Sequence, residues 1–264
     1  MILSTLVPIS LILIAGMPHG AADGALAVSR YQATMQRLTF FLAYIGAAII
    51  GYLLWMLAPT AMLVVFLVMT VFHFGSGDAR FFNHSSTAKL AAIAHGATLL
   101  IFMSIAHPTE ISRLIAILIG AEQTAHVVMF MQWSVVVWSI AVLHTLVQSQ
   151  EKLPFVLEIA AIIALSVVLE PLWSFCIYFC LIHSMRHFRN IYPVLKQSRY
   201  TTHLTILLTL LGLVLVAILY LFSENIVLSD ALFQSTIIAL FMLTIPHMIF
   251  IDYLKPVKCY ANDR

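Results

Sequence analysis

The chain has 264 residues, 62% of them hydrophobic and only 9% charged, with a mean hydropathy of +1.02. A soluble domain carries about 25% charged residues, so most of this surface must face lipid and no separate soluble domain fits. The formal net charge of +2 comes from loop residues and gives no support for a nucleic-acid partner.

Runs of roughly 17–25 apolar residues, each enough to cross a hydrocarbon core of about 30 Å, recur from end to end. They predict nine spans, near 2–18, 38–57, 60–77, 89–106, 123–147, 153–169, 171–188, 203–222 and 231–252. The expected fold is all-α, a polytopic membrane bundle forming one transmembrane domain over 1–264. The opening MILSTLVPIS lacks the positively charged region that begins a secretory signal, so the first span is expected to be retained. Between the fourth and fifth spans, ISRLIAILI at 111–119 is apolar but too short to cross, and reads as interfacial or re-entrant. Glu170-Pro171 makes a very tight link between the sixth and seventh spans.

Lys and Arg collect in cytoplasmic loops, and they orient the bundle. With the N-terminus outside, the inner segments hold Arg30, Arg37, Arg80, Lys89, Lys152, Arg186, Arg189, Lys196, Arg199, Lys255, Lys258 and Arg264. Only Arg113 is left outside, flanked by Glu110 and Glu122, so twelve of the thirteen basic residues fall on one side. The expected topology is N-out, C-in, in a multi-pass protein of the cell membrane.

Eleven histidines in so apolar a chain call for an account, because a polar group within a bilayer costs free energy and commonly lines a cavity or marks a function. His19 is expected to end the first span, His73 the third, His183 and His187 the seventh, and His247 lies near the end of the ninth. Odd-numbered spans all run from outside to inside, so these imidazoles share one depth near the cytoplasmic face. His183 and His187 are four residues apart in FCLIHSMRHFRN, which on a helix stacks both rings on one face, the spacing of helical metal clips.

MPHGAADG at 17–24 and FHFGSGDAR at 72–80 each place a histidine, then glycine, then aspartate at an expected helix end. The glycines suit a terminus and allow close backbone approach. Asp23 and Asp78 could each take a histidine N–H and orient the ring, or act as interfacial counter-ions. Pro18 and Pro246 each precede a histidine and free a backbone carbonyl, which membrane proteins tolerate where it lines a polar cavity. His84, His107, His126 and His203 read as loop histidines, while His95 and His144 lie within spans and read as hydrogen-bonded. Glu158 is an intramembrane carboxylate with no partner evident in the sequence. Cys176, Cys180 and Cys259 are too few for a disulfide framework and read as packing residues.

Three or four neutral imidazoles without a thiolate suit iron, copper, nickel or zinc. A lipid-embedded pocket admits apolar substrates and dioxygen and largely excludes the water that hydrolysis needs. The residues alone therefore point to a membrane metal oxygenase. A histidine-based transporter or proton conductor would string ionisable groups across the full thickness, whereas here they gather on one side. A diiron desaturase or hydroxylase needs around eight histidines in repeated boxes, and one HxxxH occurs here. A b-type haem protein would show itself by its Soret absorbance.

GMPHGAAD at 16–23, FHFGSGD at 72–78, CLIHSMRH at 180–187 and IPHM at 245–248 together resemble the pattern of the Brp/Blh family of bacterial and archaeal carotene oxygenases. The resemblance runs from the first span to the last. It implies an Fe(II) enzyme that uses dioxygen to cleave the central 15,15′ double bond of β-carotene, giving two retinals for a rhodopsin. By matching motif, the iron ligands would be His19, His73, His183 and His187. His247 matches a further family histidine, near the metal or in its polar surroundings. Aromatic side chains would hold the polyene in a tunnel, with Tyr178, Phe72, Phe74, Phe175 and Phe179 as wall residues.

Overall fold

The computed structural model describes residues 2–78, 85–148, 152–196, 198–225 and 227–254. Arg80, His84, Lys255, Lys258, Cys259 and Arg264 lie outside the described residues. Those described are helical with short links, and no strand occurs among them. A chain in lipid must satisfy its backbone N–H and C=O groups internally, and an α-helix does so within each segment. Among the described residues, seven helices are long and apolar enough to cross a membrane: Ser4–Arg30, Thr34–Leu57, Pro59–Asp78, Ala88–Ala106, Ala121–Gln148, Arg199–Leu221 and Leu228–Tyr253. The chain is a multi-pass membrane protein. The two other segments expected to cross, 153–169 and 171–188, are also helical, the first 17 residues long and the second divided into shorter pieces.

The chain divides into two compact units, Met1–Leu57 with Phe179–Arg264, and Ala58–Tyr178. In the first, α1 (Ile2–Leu11), a π-helical segment Ile12–Gly16, α2 (Pro18–Ala21) and α3 (Asp23–Arg30) follow one another. The sequence reading ends the first span at residue 18. The structure instead carries it to Arg30, because Ala22, Ala25, Leu26 and Ala27 are good helix formers that find a buried seat. The π segment has a local cause. Pro18 has no N–H to give the carbonyl four residues back, and the Met17 N–H instead bonds to Ile12 at 2.9 Å. Next comes α4 (Thr34–Leu57).

The second unit begins with α5 (Pro59–Asp78) and α6 (Ser85–Ala106), which cross closely. A Cβ added at Gly75 would lie 1.9 Å from the Ala92 carbonyl oxygen, and one at Gly96 would lie 1.9 Å from that of Val71. Two glycines thus let two backbones touch, the small-residue packing that membrane helices use where lipid gives no hydrophobic drive to associate. After these come α7 (Pro108–Ile119), α8 (Ala121–Trp133), α9 (Val135–Gln148), α10 (Lys152–Val168) and α11 (Pro171–Ile177). The short apolar stretch at 111–119 belongs to α7, which buries Ile111, Leu114, Ile115 and Leu118 and ends at Gly120, whose φ is +82°. Ala94, Ala141, Phe155 and Ile159 join α6, α9 and α10 in one apolar cluster.

The first unit resumes after Tyr178. The π-helical segment Tyr178–Ser184 leads into α12 (Met185–Leu195), followed by α13 (Arg199–Leu221), α14 (Leu228–Met248) and a last π segment, Ile249–Tyr253. Here α14 packs against α1, α4 and α13, and α3 packs against α12 and α13. Ala22, Leu26, Ala27, Ile191 and Phe250 form the apolar cluster that seats α3.

Candidate metal centre

Four histidines converge within the first unit. The His19 ring centre lies 5.4 Å from that of His183, 5.5 Å from His187 and 5.1 Å from His247, and His187 stands 5.6 Å from His247. A nitrogen bound to a metal sits about 2 Å from it, so imidazoles sharing one ion have ring centres roughly 5 Å apart. His19, His183 and His247 are buried and His187 is half-buried. Each π segment lies beside one of these rings: Ile12–Gly16 precedes His19, Tyr178–Ser184 contains His183 and Ile249–Tyr253 follows His247. Such bulges rotate a helix's side chains by inserting a residue, and they gather at functional sites.

Two of the rings, those of His19 and His247, are held in definite tautomers. His19 Nδ1 lies 2.5 Å from the Gly16 carbonyl oxygen. A carbonyl only accepts, so Nδ1 carries the proton of the neutral ring and Nε2 carries the lone pair. Ser184 Oγ stands 3.4 Å from the same Nδ1. His247 Nδ1 donates to Asp23 Oδ2 at 2.8 Å, and Tyr44 OH donates to the same oxygen at 3.0 Å. Asp23 thus does take a histidine N–H, that of His247. Phe179 lies edge-on to His19 at 5.0 Å and stacks over His183 at 6.1 Å. Cys176 and Cys180 are buried free thiols.

In the second unit, His73 is buried on α5, with the Phe74 ring 6.2 Å away. Asp78, at the end of the same helix, accepts from Tyr178 OH at 3.0 Å. The Tyr178 hydroxyl also lies 3.3 Å from His95 Nδ1, and His95 Nε2 lies 3.1 Å from Glu158 Oε1. Glu158 therefore has the partner that the sequence withheld, and a polar chain runs from Asp78 on α5 through Tyr178, just past α11, to His95 on α6 and Glu158 on α10. Among the aromatic residues proposed for a tunnel, Phe74 packs on Phe175 and Tyr178, while Phe72 is exposed. His126 and His203 are exposed and His107 and His144 half-buried.

Interhelical hydrogen bonds within membrane helices contribute about 0.5–2 kcal/mol each, and His95 takes part in two. His95→Leu is therefore expected to lower the thermal unfolding temperature in detergent, more than His144→Leu does. An unfolding temperature equal to that of the unaltered protein would remove the polar chain from the stability of this unit.

Tyr44 and Ser184 escaped the sequence reading. A tyrosine in the middle of an apolar span carries a hydroxyl that needs a partner, and that was the available signal for Tyr44. Ser184 carried none, since serine in a membrane helix commonly bonds its own backbone.

The family model for β-carotene 15,15′-dioxygenase matches residues 10–255. The chain belongs to the β-carotene 15,15′-dioxygenase family. It is also 30% identical over 263 residues to a β-carotene 15,15′-dioxygenase of an uncultured marine bacterium, 66A03, a match covering 93% of this chain and 92% of that protein. No solved structure matches it. Membership makes the chain an enzyme, an oxidoreductase of the dioxygenase class, and the imidazoles suit the metal such a family implies: nitrogen donors gathered in one cluster, with the tautomers of His19 and His247 fixed by partners on the chain.

Proposed function

We propose that the protein cleaves the central 15,15′ double bond of β-carotene with dioxygen, giving two molecules of all-trans-retinal, at Fe(II) held by His19, His73, His183 and His187. The observation that carries this reading is the convergence of His187 on the buried pair His19 and His183, in a chain whose family is described by that reaction. His73 joins the set by its motif, FHFGSGD. Fe(II), when bound, supplies a redox-active centre able to react with dioxygen. The chain's own part is to hold that ion with uncharged ligands, keep water away and align the polyene. Asp23, Asp78 and His247 surround the ligands or line the substrate's path. Phe74, Phe175, Phe179, Tyr178 and Phe72 offer aromatic surface to a rigid conjugated rod, which also favours positive charge developing on it.

The whole chain, 1–264, acts as one transmembrane domain of nine spans in the cell membrane, N-terminus out and C-terminus in, taking β-carotene and dioxygen from the surrounding lipid. The retinal it releases supplies a rhodopsin. A reporter fused after Arg264 is expected in the cytoplasm, and one inserted at 223–225 is expected outside. Both on the same face would defeat the nine-span topology.

Expression in cells that accumulate β-carotene, followed by pigment extraction, tests the reaction. Loss of orange colour with appearance of retinal is the expected result. Retained β-carotene in cells that contain folded, iron-loaded protein would contradict it.

A further inference from the structure

His247 stands apart from the four histidines of the proposed iron site in its distance along the chain, 60 residues beyond His187. In space it does not. Its ring centre is nearer to that of His19, at 5.1 Å, than those of His183 and His187 are, at 5.4 and 5.5 Å. It is buried, and it meets His19 and His187 nearly edge-on, with interplanar angles of 88° and 68°. Edge-on contact is compatible with rings turned about one point but is also common in aromatic packing, so the deciding observation is which nitrogen faces the other rings.

The bond to Asp23 decides which edge faces inward. The carboxylate accepts from Nδ1 at 2.8 Å, so the neutral ring keeps its lone pair on Nε2, at the opposite end. Metal-binding histidines are held in this way, with a carboxylate on the far nitrogen fixing the tautomer and raising the basicity of the near one. The carboxylate is itself held, since Tyr44 OH donates to the same Oδ2 at 3.0 Å. Tyr44 comes from α4, Asp23 from α3 and His247 from α14, so three helices are committed to the setting of one imidazole.

From this we infer that His247 is itself a ligand of the metal, aimed by Asp23, and that Tyr44 is a positioning residue acting through Asp23. The inference rests on the proposed reading that His19 and His183 bind the metal, and it moves His247 from the surroundings of the ligands into that set.

Metal binding to purified protein in detergent tests it without recourse to turnover. Iron content is measured by elemental analysis, and Co(II) is titrated in place of iron so that its visible ligand-field bands report the donor set. His247→Ala is expected to weaken metal binding more than tenfold and to shift the cobalt bands. Asp23→Asn is expected to weaken binding by about 10–100-fold, as loss of an outer carboxylate does, with the bands closer to those of the unaltered protein. Tyr44→Phe is expected to act in the same direction by a smaller factor. His19→Ala and His183→Ala, run in parallel, separate the two claims. If both lose the metal while His247→Ala keeps full affinity and unchanged bands, His247 is no ligand and the inference falls alone. If His19→Ala and His183→Ala also keep the metal, the metal centre itself is misplaced and both fall. Should His247→Ala fail to fold, Asp23→Asn and Tyr44→Phe decide, and full affinity in both would overturn the inference.

Discussion

Alanine at His19 or at His183 is expected to abolish retinal formation and to lower bound iron by more than about tenfold. Loss of a supporting contact alone costs 10–100-fold in metal affinity, and loss of a ligand costs at least as much. The two rings lie 5.4 Å apart, come from segments distant in the sequence and are buried. His73→Ala and His187→Ala are expected to behave alike. His126→Ala and His203→Ala serve as controls, because both residues are exposed, and they should keep most of the activity. Removal of two of the four proposed ligands with full iron content and full cleavage would show that the site is misassigned even within the right family.

Much of this arrangement was legible in the sequence. The apolar runs marked the helices, and the motifs GMPHGAAD, CLIHSMRH and IPHM located three elements whose histidines now share one cluster. What the sequence did not reveal was which side of each helix faces inward. In a soluble helix an apolar stripe shows this, but in lipid the outer face is as apolar as the inner one. The Asp23–His247 and His95–Glu158 pairs therefore could not be read, although all four residues were conspicuous. The first helix was cut short at His19 because glycine and proline nearby read as a terminus. The structure absorbs Pro18 with a π segment and continues to Arg30.

The second large effect is expected at the α5–α6 crossing. In Gly75→Ala the new methyl would begin 1.9 Å from the Ala92 carbonyl oxygen, with Ala92 carbon atoms at 2.5 and 2.7 Å. Those neighbours are backbone and cannot rotate aside, so the helices must separate. Overpacking costs about 1–3 kcal/mol and occasionally more, and a clash between two backbones belongs at the upper end. Unfolding in detergent should begin roughly 5–10 °C lower. Gly96→Ala meets the Val71 carbonyl at the same 1.9 Å and should match it. Gly46→Ala, where a Cβ meets nothing within 4 Å, should be neutral or stabilising. A Gly75→Ala protein as stable as the unaltered chain would mean that α5 and α6 do not cross as closely as described.

The most direct test of the central claim is product analysis with purified, iron-loaded protein given β-carotene and dioxygen in detergent micelles. The expected result is two retinals for each β-carotene consumed, with no turnover after iron is chelated and recovery when Fe(II) is restored. Longer or shorter apocarotenals in place of retinal, or undiminished cleavage by metal-free protein, would contradict it.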